Sequence, residues 1–271
     1  MNNVIEVNGL KKSYGSHIVL KGISFNITRG EIFALLGANG AGKTTALECI
    51  QGLRKYDSGT IIVNGKAGIQ LQSSSLPAHI KPMEALQLFA RWNKTSVPGH
   101  VIDTFGISEI KNKQYAQLST GQKRRLHLAL ALTGRPDIVF LDEPSAGLDP
   151  EGKILLHKQI RHLKEKGKTI VLASHDMAEV EALCDKIAVL NNGNIVFYGT
   201  VQELAAKTGK KYVIHITTKE GTDIYETEDI GSTLFSELAS LNQQGAVILD
   251  IKAGKGTLEQ NFIEIAGRTG K

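Results

Sequence analysis

The chain has little of what stabilises small secreted domains or crosses membranes. Its 271 residues include two cysteines, Cys49 and Cys184, both in apolar, helix-like surroundings. That excludes a disulfide framework and fits buried free thiols. No apolar run approaches the ~18–20 residues that a bilayer-spanning helix needs. The first residues, Met1-Asn2-Asn3-Val4-Ile5-Glu6, lack the charged-then-apolar pattern of a signal peptide. A place inside the cell is therefore expected. Internal repeats, low-complexity segments and heptad runs are also missing. Neither sign of charge dominates: 32 Lys and Arg against 27 Asp and Glu leave a net charge of +5. That mild excess is compatible with lipid headgroups or nucleic acid and selects neither. The mixed stretch Arg161–Lys166 reads as a solvated helix face. A hydrophobic content of 41% supports an ordinary globular core.

What is present is more specific. Residues 37–44 read Gly-Ala-Asn-Gly-Ala-Gly-Lys-Thr, the G-x-x-x-x-G-K-[ST] phosphate-binding loop. An apolar run, Ile32–Leu36, precedes it as a buried strand, and Thr44–Glu48 follows as the first turns of a helix. Gly37, Gly40 and Gly42 permit backbone angles and close approaches that a Cβ would obstruct. Successive N–H groups, including those of Ala38, Asn39, Ala41 and Thr45, can turn toward phosphates at a helix N-terminus. Lys43 can reach the β- and γ-phosphates, and the Thr44 hydroxyl can ligate Mg²⁺.

Strand-like runs mark the first ~70 residues: Val4–Val7, Ile23–Ile27, Ile32–Leu36 and Thr60–Val63. Asn64-Gly65 signals a hairpin-type turn into the next strand, Gly68–Gln72. Residues from about 80 to 135 read as helical, with Met83, Leu86, Phe89 and Ala90 on one face. A helix opening at Ser119 is stopped by Gly134-Arg135-Pro136. Strand and helix then alternate through Ile138–Leu141, the helix of Leu156, Ile160 and Leu163, Thr169–Ala173, and Asp176–Cys184. Such alternation implies a parallel sheet. Ile187–Leu190 and Ile195–Tyr198 form a hairpin around Asn191–Asn194. A small second α/β module is expected from about residue 207 to 271, in the order β-β-α-β-α, ending in a helix at Leu258–Ala266.

Further motifs accompany the loop. Leu118-Ser119-Thr120-Gly121-Gln122 opens a helix. Ile138–Leu141 ends in Asp142 and Glu143, and Ser145-Ala146-Gly147-Leu148-Asp149 follows. His175 caps the strand Ile170–Ala173, and Gln72 closes the strand after Gly68. In this order and spacing, residues 1–205 resemble the nucleotide-binding subunits of ATP-binding-cassette (ABC) transporters, most closely those of bacterial drug export. The resemblance implies an α/β P-loop NTPase fold for residues 1–206, with a helical subdomain at about 73–135.

It also implies roles. Asp142 holds Mg²⁺ with Thr44 and Gln72. Glu143 is the general base that polarises the attacking water, and His175 contacts the γ-phosphate. Gln72 relays the nucleotide state to a membrane partner. Gln70 lies on the same strand face as Gln72 and is its rival, but counting from Gly68 favours Gln72. Tyr14 stacks on adenine. Ser119, Gly121 and Gln122 form the signature that meets ATP held by another chain. Thr120 stands where the commonest family form has Gly, which leaves Ser119 and Gly121 in place.

The implied assembly is a head-to-tail dimer, with itself or with a paralogous ATPase subunit. It would sit on separate transmembrane permease subunits at the inner face of the membrane. The Gln72–Leu118 interval, with Leu76–Ile80, would supply the docking groove. A soluble machine of translation or DNA repair is the alternative. Such proteins carry two cassettes or long coiled coils, so no nucleic acid is expected here. A kinase or GTPase would not need the Leu118–Gln122 signature. Loss of the ring in Tyr14→Ala should weaken ATP binding by ~1–3 kcal/mol. Calorimetry with ATP and a second purine triphosphate should show similar losses for both.

Overall fold

The computed structural model describes residues 2–70, 76–207 and 212–255. Gln72, the residues Ser73–Ser75 of the expected docking groove, and the expected helix Leu258–Ala266 lie outside them. The chain divides into two compact units, Met1–Thr200 and Val201–Lys271. The division precedes a helix, α8 (Val201–Lys207), that composition did not reveal, so it falls earlier than the polar link at residue 207.

In the first unit a three-stranded antiparallel sheet, ordered β2-β1-β4, is made of β1 (Asn3–Tyr14), β2 (His17–Thr28) and β4 (Ser58–Val63). A six-stranded sheet runs β5-β6-β7-β3-β8-β9, from β3 (Ile32–Leu36), β5 (Ala67–Gln70), β6 (Ile138–Asp142), β7 (Thr169–Ser174), β8 (Lys186–Asn191) and β9 (Asn194–Thr200). Neighbours from β5 to β8 are parallel, and β9 returns antiparallel along β8. Every side chain of β3, β6 and β7 is buried, as expected of strands covered on both faces. The β8–β9 hairpin turns through Asn192 and Gly193, both at positive φ, the geometry that an Asn-Gly pair favours. Asn64-Gly65 also turns the chain, but not into a hairpin. β4 and β5 belong to different sheets, so the turn is a crossing between layers.

The two sheets share one core. The Phe25 and Phe33 rings stack 5.2 Å apart between β2 and β3. Burying each ring stabilises the fold by roughly 1.5–3 kcal/mol. On the parallel sheet pack α1 (Lys43–Ile50), α6 (Pro150–Glu165) and α7 (Met177–Leu183). Asp149 and Asp176 cap α6 and α7 through side-chain oxygens that accept from Gly152 and Glu179 N–H groups.

The helical region comprises α2 (Pro82–Trp92), α3 (Gly99–Thr104), α4 (Ile107–Ile110), a 3₁₀ turn at Tyr115–Gln117, and α5 (Thr120–Leu132). Leu86 and Ala90 are buried on the expected face of α2, with Met83 and Phe89 half-buried. In the second unit, β10 (Tyr212–Thr218) lies between β11 (Thr222–Thr227) and β12 (Ile248–Lys255). Leu234, Leu238 and Leu241 of α9 (Ile230–Gln243) pack on Ile214 and Ile216. Both cysteines are free. Cys49 is buried as expected, whereas Cys184 at the end of α7 is only half-buried.

The helical region is tied to its own entrance by a buried polar pair. The Tyr115 hydroxyl and His127 Nε2 are hydrogen-bonded at 2.8 Å, with their rings edge to face. Burial pushes His127 down from 6.5 to about 4, and Arg124 and Lys123 add to the effect. The unfolded chain therefore binds this proton more tightly than the folded one. The stabilisation is complete above the unfolded value and is lost as pH falls toward the folded one. His127 alone should make the protein about 2 kcal/mol less stable at about pH 5 than at about pH 7.5. Denaturant unfolding at both pH values checks this, and His127→Gln should lack that part of the acid sensitivity.

Candidate nucleotide site

The phosphate loop begins where β3 leaves the sheet. Gly37 sits so tightly against β8 that a Cβ there would lie 2.4 Å from the Leu190 carbonyl oxygen. Gly42 combines a φ of 104° with a tight place where a Cβ would lie 3.0 Å from Leu20 and 3.2 Å from Val19. As the N-cap of α1, Gly42 offers no side chain to the first N–H groups of the helix. These donors remain for an anion, and the helix dipole favours one there. A cavity of about 480 Å³ opens at this point, lined by Val19, Asn39, Gly40, Lys43, Thr44, Thr45 and Glu143 among others.

Lys43 is buried. Its Nζ donates to the carbonyls of Gly37 (2.8 Å) and Ala38 (3.2 Å) and lies 3.8 Å from Glu143 Oε1. Burial lowers its pKa, against the raising pull of Glu143 and Asp142. Asp142, at the tip of β6, is buried beside it. Burial raises the Asp142 pKa, while a hydrogen bond from Thr44 opposes the shift. Its Oδ1 has no hydrogen-bond partner among the described residues. A buried carboxylate oxygen without a partner, next to a threonine hydroxyl, suits a hard cation that takes oxygen ligands. Among the described residues, no group of three or more His, Cys, Asp or Glu side chains could hold a metal by themselves. Mg²⁺ needs no such cage, since it is bound through one or two carboxylates and phosphate oxygens.

Glu143 follows with a left-handed backbone, φ +47°. That conformation is uncommon for a non-glycine residue and costs about 1 kcal/mol or more. It brings Glu143 Oε2 to 2.7 Å from His175 Nδ1. His175 stands beyond the end of β7, in a turn fixed by Ser174. The Ser174 hydroxyl donates to Glu179 and accepts from the Asp176 N–H. Lys153 of α6 grips Asp176 at 2.7 Å. Lys43, Thr44, Asp142, Glu143 and His175, which the sequence singled out separately, thus meet at one edge of the sheet.

The signature lies elsewhere. Ser119 caps α5 in a reciprocal box with Gln122: the Gln122 N–H donates to Ser119 Oγ, and the Ser119 N–H donates to Gln122 Oε1. Ser119, Gly121 and Gln122 line a second cavity of about 290 Å³ with Leu148, Asp149 and Gly152. A Cβ on Gly121 would meet only ordinary contact there, 3.8 Å from Leu148. Tyr14 is not among the residues lining the phosphate cavity. It is partly exposed, with the Lys12 ammonium 5.3 Å and the Arg54 guanidinium 5.4 Å from its ring centroid. Arg124, which sequence reasoning passed over, reaches from α5 toward the Ala146 carbonyl at 3.5 Å. Its only signal was its place one turn into the signature helix. Gln70, the rival of Gln72, ends β5 buried, and neither polar atom of its amide finds a hydrogen-bond partner among the described residues.

A buried strand, a glycine loop wrapped on a helix N-terminus, and acids at the tip of the neighbouring strand define a P-loop nucleotide-triphosphatase. The comparisons narrow the class. The ABC transporter family profile matches residues 20–146. The linearmycin resistance ATP-binding protein of Bacillus subtilis is 30% identical, over 98% of this chain and 99% of its own. Nod factor export ATP-binding protein I of Ralstonia nicotianae is 34% identical, over 82% of this chain and 72% of its own. A solved ATP-binding subunit of an ABC transporter superposes with a TM-score of 0.67 at 28% identity, covering 75% of this chain and 92% of that one. The chain belongs to the ATP-binding subunits of ABC transporters, ATPases coupled to transport.

The two site glycines should respond differently to a methyl group. Gly37→Ala must displace the β8 backbone and should destabilise the protein by about 2 kcal/mol or more, with loss of nucleotide binding. Gly121→Ala should leave thermal stability within about 1 kcal/mol of wild type. Thermal melts with and without Mg·ATP check both.

Proposed function

We propose that this chain binds Mg·ATP between its own phosphate loop and the signature of a second ATPase subunit, and that hydrolysis there drives export through separate permease subunits. The observation that carries this reading is the separation of two half-sites within one chain. Lys43, Thr44 and Glu143 line one cavity, with His175 bonded to Glu143 and Asp142 beside Thr44, and Ser119, Gly121 and Gln122 line another. An ATP held by the loop needs a second chain to meet a signature. Export rests on the names of the relatives, which are export and resistance ATP-binding proteins.

The residues divide the work. The uncapped N–H groups of α1 and Lys43 hold the phosphates and spread their charge. Bound Mg²⁺, held through Thr44 and Asp142 with Gln72 as a further ligand, would neutralise phosphate charge. Glu143 accepts the proton of the attacking water. His175 holds the Glu143 carboxylate in place at 2.7 Å and contacts the γ-phosphate. Tyr14 supplies an exposed ring for the base, with two cations beside it. Leu88 and Trp92 of α2 are exposed, Trp92 at 79%. Together with Leu76–Ile80 they offer apolar surface to a membrane partner. Among the described residues, no helix is long and apolar enough to cross a membrane.

Glu143→Gln retains shape and removes the base. With Mg·ATP the variant should run as a dimer in gel filtration, with turnover reduced about a hundredfold or more. Normal turnover would remove Glu143 from its role, and a monomer that binds ATP tightly would count against the shared site.

A further inference from the structure

A third cavity, of about 480 Å³, lies at the opposite edge of the parallel sheet from the phosphate loop. Arg135 and Pro136 line it just before β6 begins, and Lys168 lines it immediately before β7. The strands that start here end at Asp142 and Ser174. At ~3.3 Å per residue, that places the cavity roughly 15–20 Å from the nucleotide site. The volume falls within the range of roughly 300–1,000 Å³ usual for small-molecule sites.

Its lining has two parts. Val101, Phe105 and Leu163 are buried and form an apolar floor with Leu132. Five basic side chains surround that floor: His100, Arg135, His162, Lys166 and Lys168. Among the described residues, no acidic side chain lines the cavity. His162 has Glu165 at 3.6 Å, on the exposed side of the same helix turn. No ion pair or side-chain hydrogen bond is formed by His100, Arg135, Lys166 or Lys168 among the described residues. The mutual repulsion is felt within the cluster. Partial desolvation and then Lys166, Arg135, His162 and Lys168 all lower the His100 pKa.

Arg135 adds a second observation. It adopts a left-handed backbone, φ +52°, just past the end of α5, where glycine or asparagine is the low-strain choice. Glycine is used one position earlier instead, at Gly134, where a Cβ would lie 2.7 Å from Asn93 Oδ1. The C-terminal carbonyls of α5 and α6 attract cations. That attraction accounts for charge near the helix ends. It does not account for His100, at the start of α3, nor for an enclosed apolar floor.

We propose that this cavity binds a discrete amphipathic anion, a phosphate monoester or carboxylate carried on an apolar body, with the acid group among Arg135, Lys166 and Lys168 and the apolar body on Val101, Phe105 and Leu163. Such a ligand bridges α3 of the helical region to the roots of β6 and β7, whose tips carry the catalytic acids and His175. The site is therefore placed to adjust ATP turnover without touching the nucleotide.

Octyl phosphate is a suitable probe, titrated calorimetrically into the full chain with the nucleotide site saturated by Mg·ADP. Saturable binding of one equivalent is expected, weakened by salt. Octanol and inorganic phosphate should each bind at least about tenfold more weakly, because each lacks one half of the ligand. Lys166→Gln/Lys168→Gln should weaken octyl phosphate about tenfold or more while leaving ADP affinity unchanged. If that pair does not fold, Arg135→Gln gives a second test, with a reduced salt dependence expected. Three results would overturn the proposal: no saturable binding, equal binding by the variants, or binding to anionic phospholipid vesicles with none to monomeric octyl phosphate.

Discussion

A strand buried on both faces can carry no charge along its length. β3 and β7 obey this throughout and β6 up to its last residue, Asp142, so the charged groups of the phosphate site are confined to their ends. The parallel register brings those ends together: Leu141 pairs with Leu172, Asp142 with Ala173, and Leu36 with Ser174. One turn beyond these residues stand the phosphate loop, Glu143 and His175. The site is a consequence of where three apolar strands stop being apolar. The remaining parts of the first unit serve that edge, by covering the strands or by fixing the turns that leave them.

Most of that edge was legible in the sequence because its residue types are physically constrained. Gly37 and Gly42 are demanded by contacts under van der Waals distance, and a lysine and a hydroxyl must follow where a helix begins. The strand Ile138–Leu141 announced itself by having no polar residue until its two acids. Sequence showed less where geometry depends on distant partners. Asn64-Gly65 looks like a hairpin turn because local chemistry cannot show that the flanking strands join different sheets. The helix Val201–Lys207 went unread because it follows a strand with no stop signal between them. Likewise, the contacts of Arg124 with Ala146 and of Lys153 with Asp176 link residues 22 and 23 positions apart, and no periodicity marks them.

The signature illustrates a different limit. Ser119 and Gln122 satisfy each other within α5, so the local structure is complete without any nucleotide. Nothing in the cap requires phosphate. The Thr120 methyl faces Gly147, where a hypothetical Cβ would lie 3.6 Å away, an ordinary contact distance. In the function proposed above, capping and recognition would use the same atoms. The motif can therefore be read from sequence while its partner cannot.

The left-handed backbone at Glu143 has a bearing on how such a protein can change. Asparagine or glycine would occupy that conformation with less strain, so the most comfortable replacements are those that shorten or delete the carboxylate. On the role proposed for Glu143, a sturdier fold and turnover therefore make opposite demands at one residue. A lineage released from the need to hydrolyse nucleotide has a downhill route out of catalysis at this position. On the role proposed for Glu143, the strained torsion is a cost in stability that the fold carries for the sake of its carboxylate.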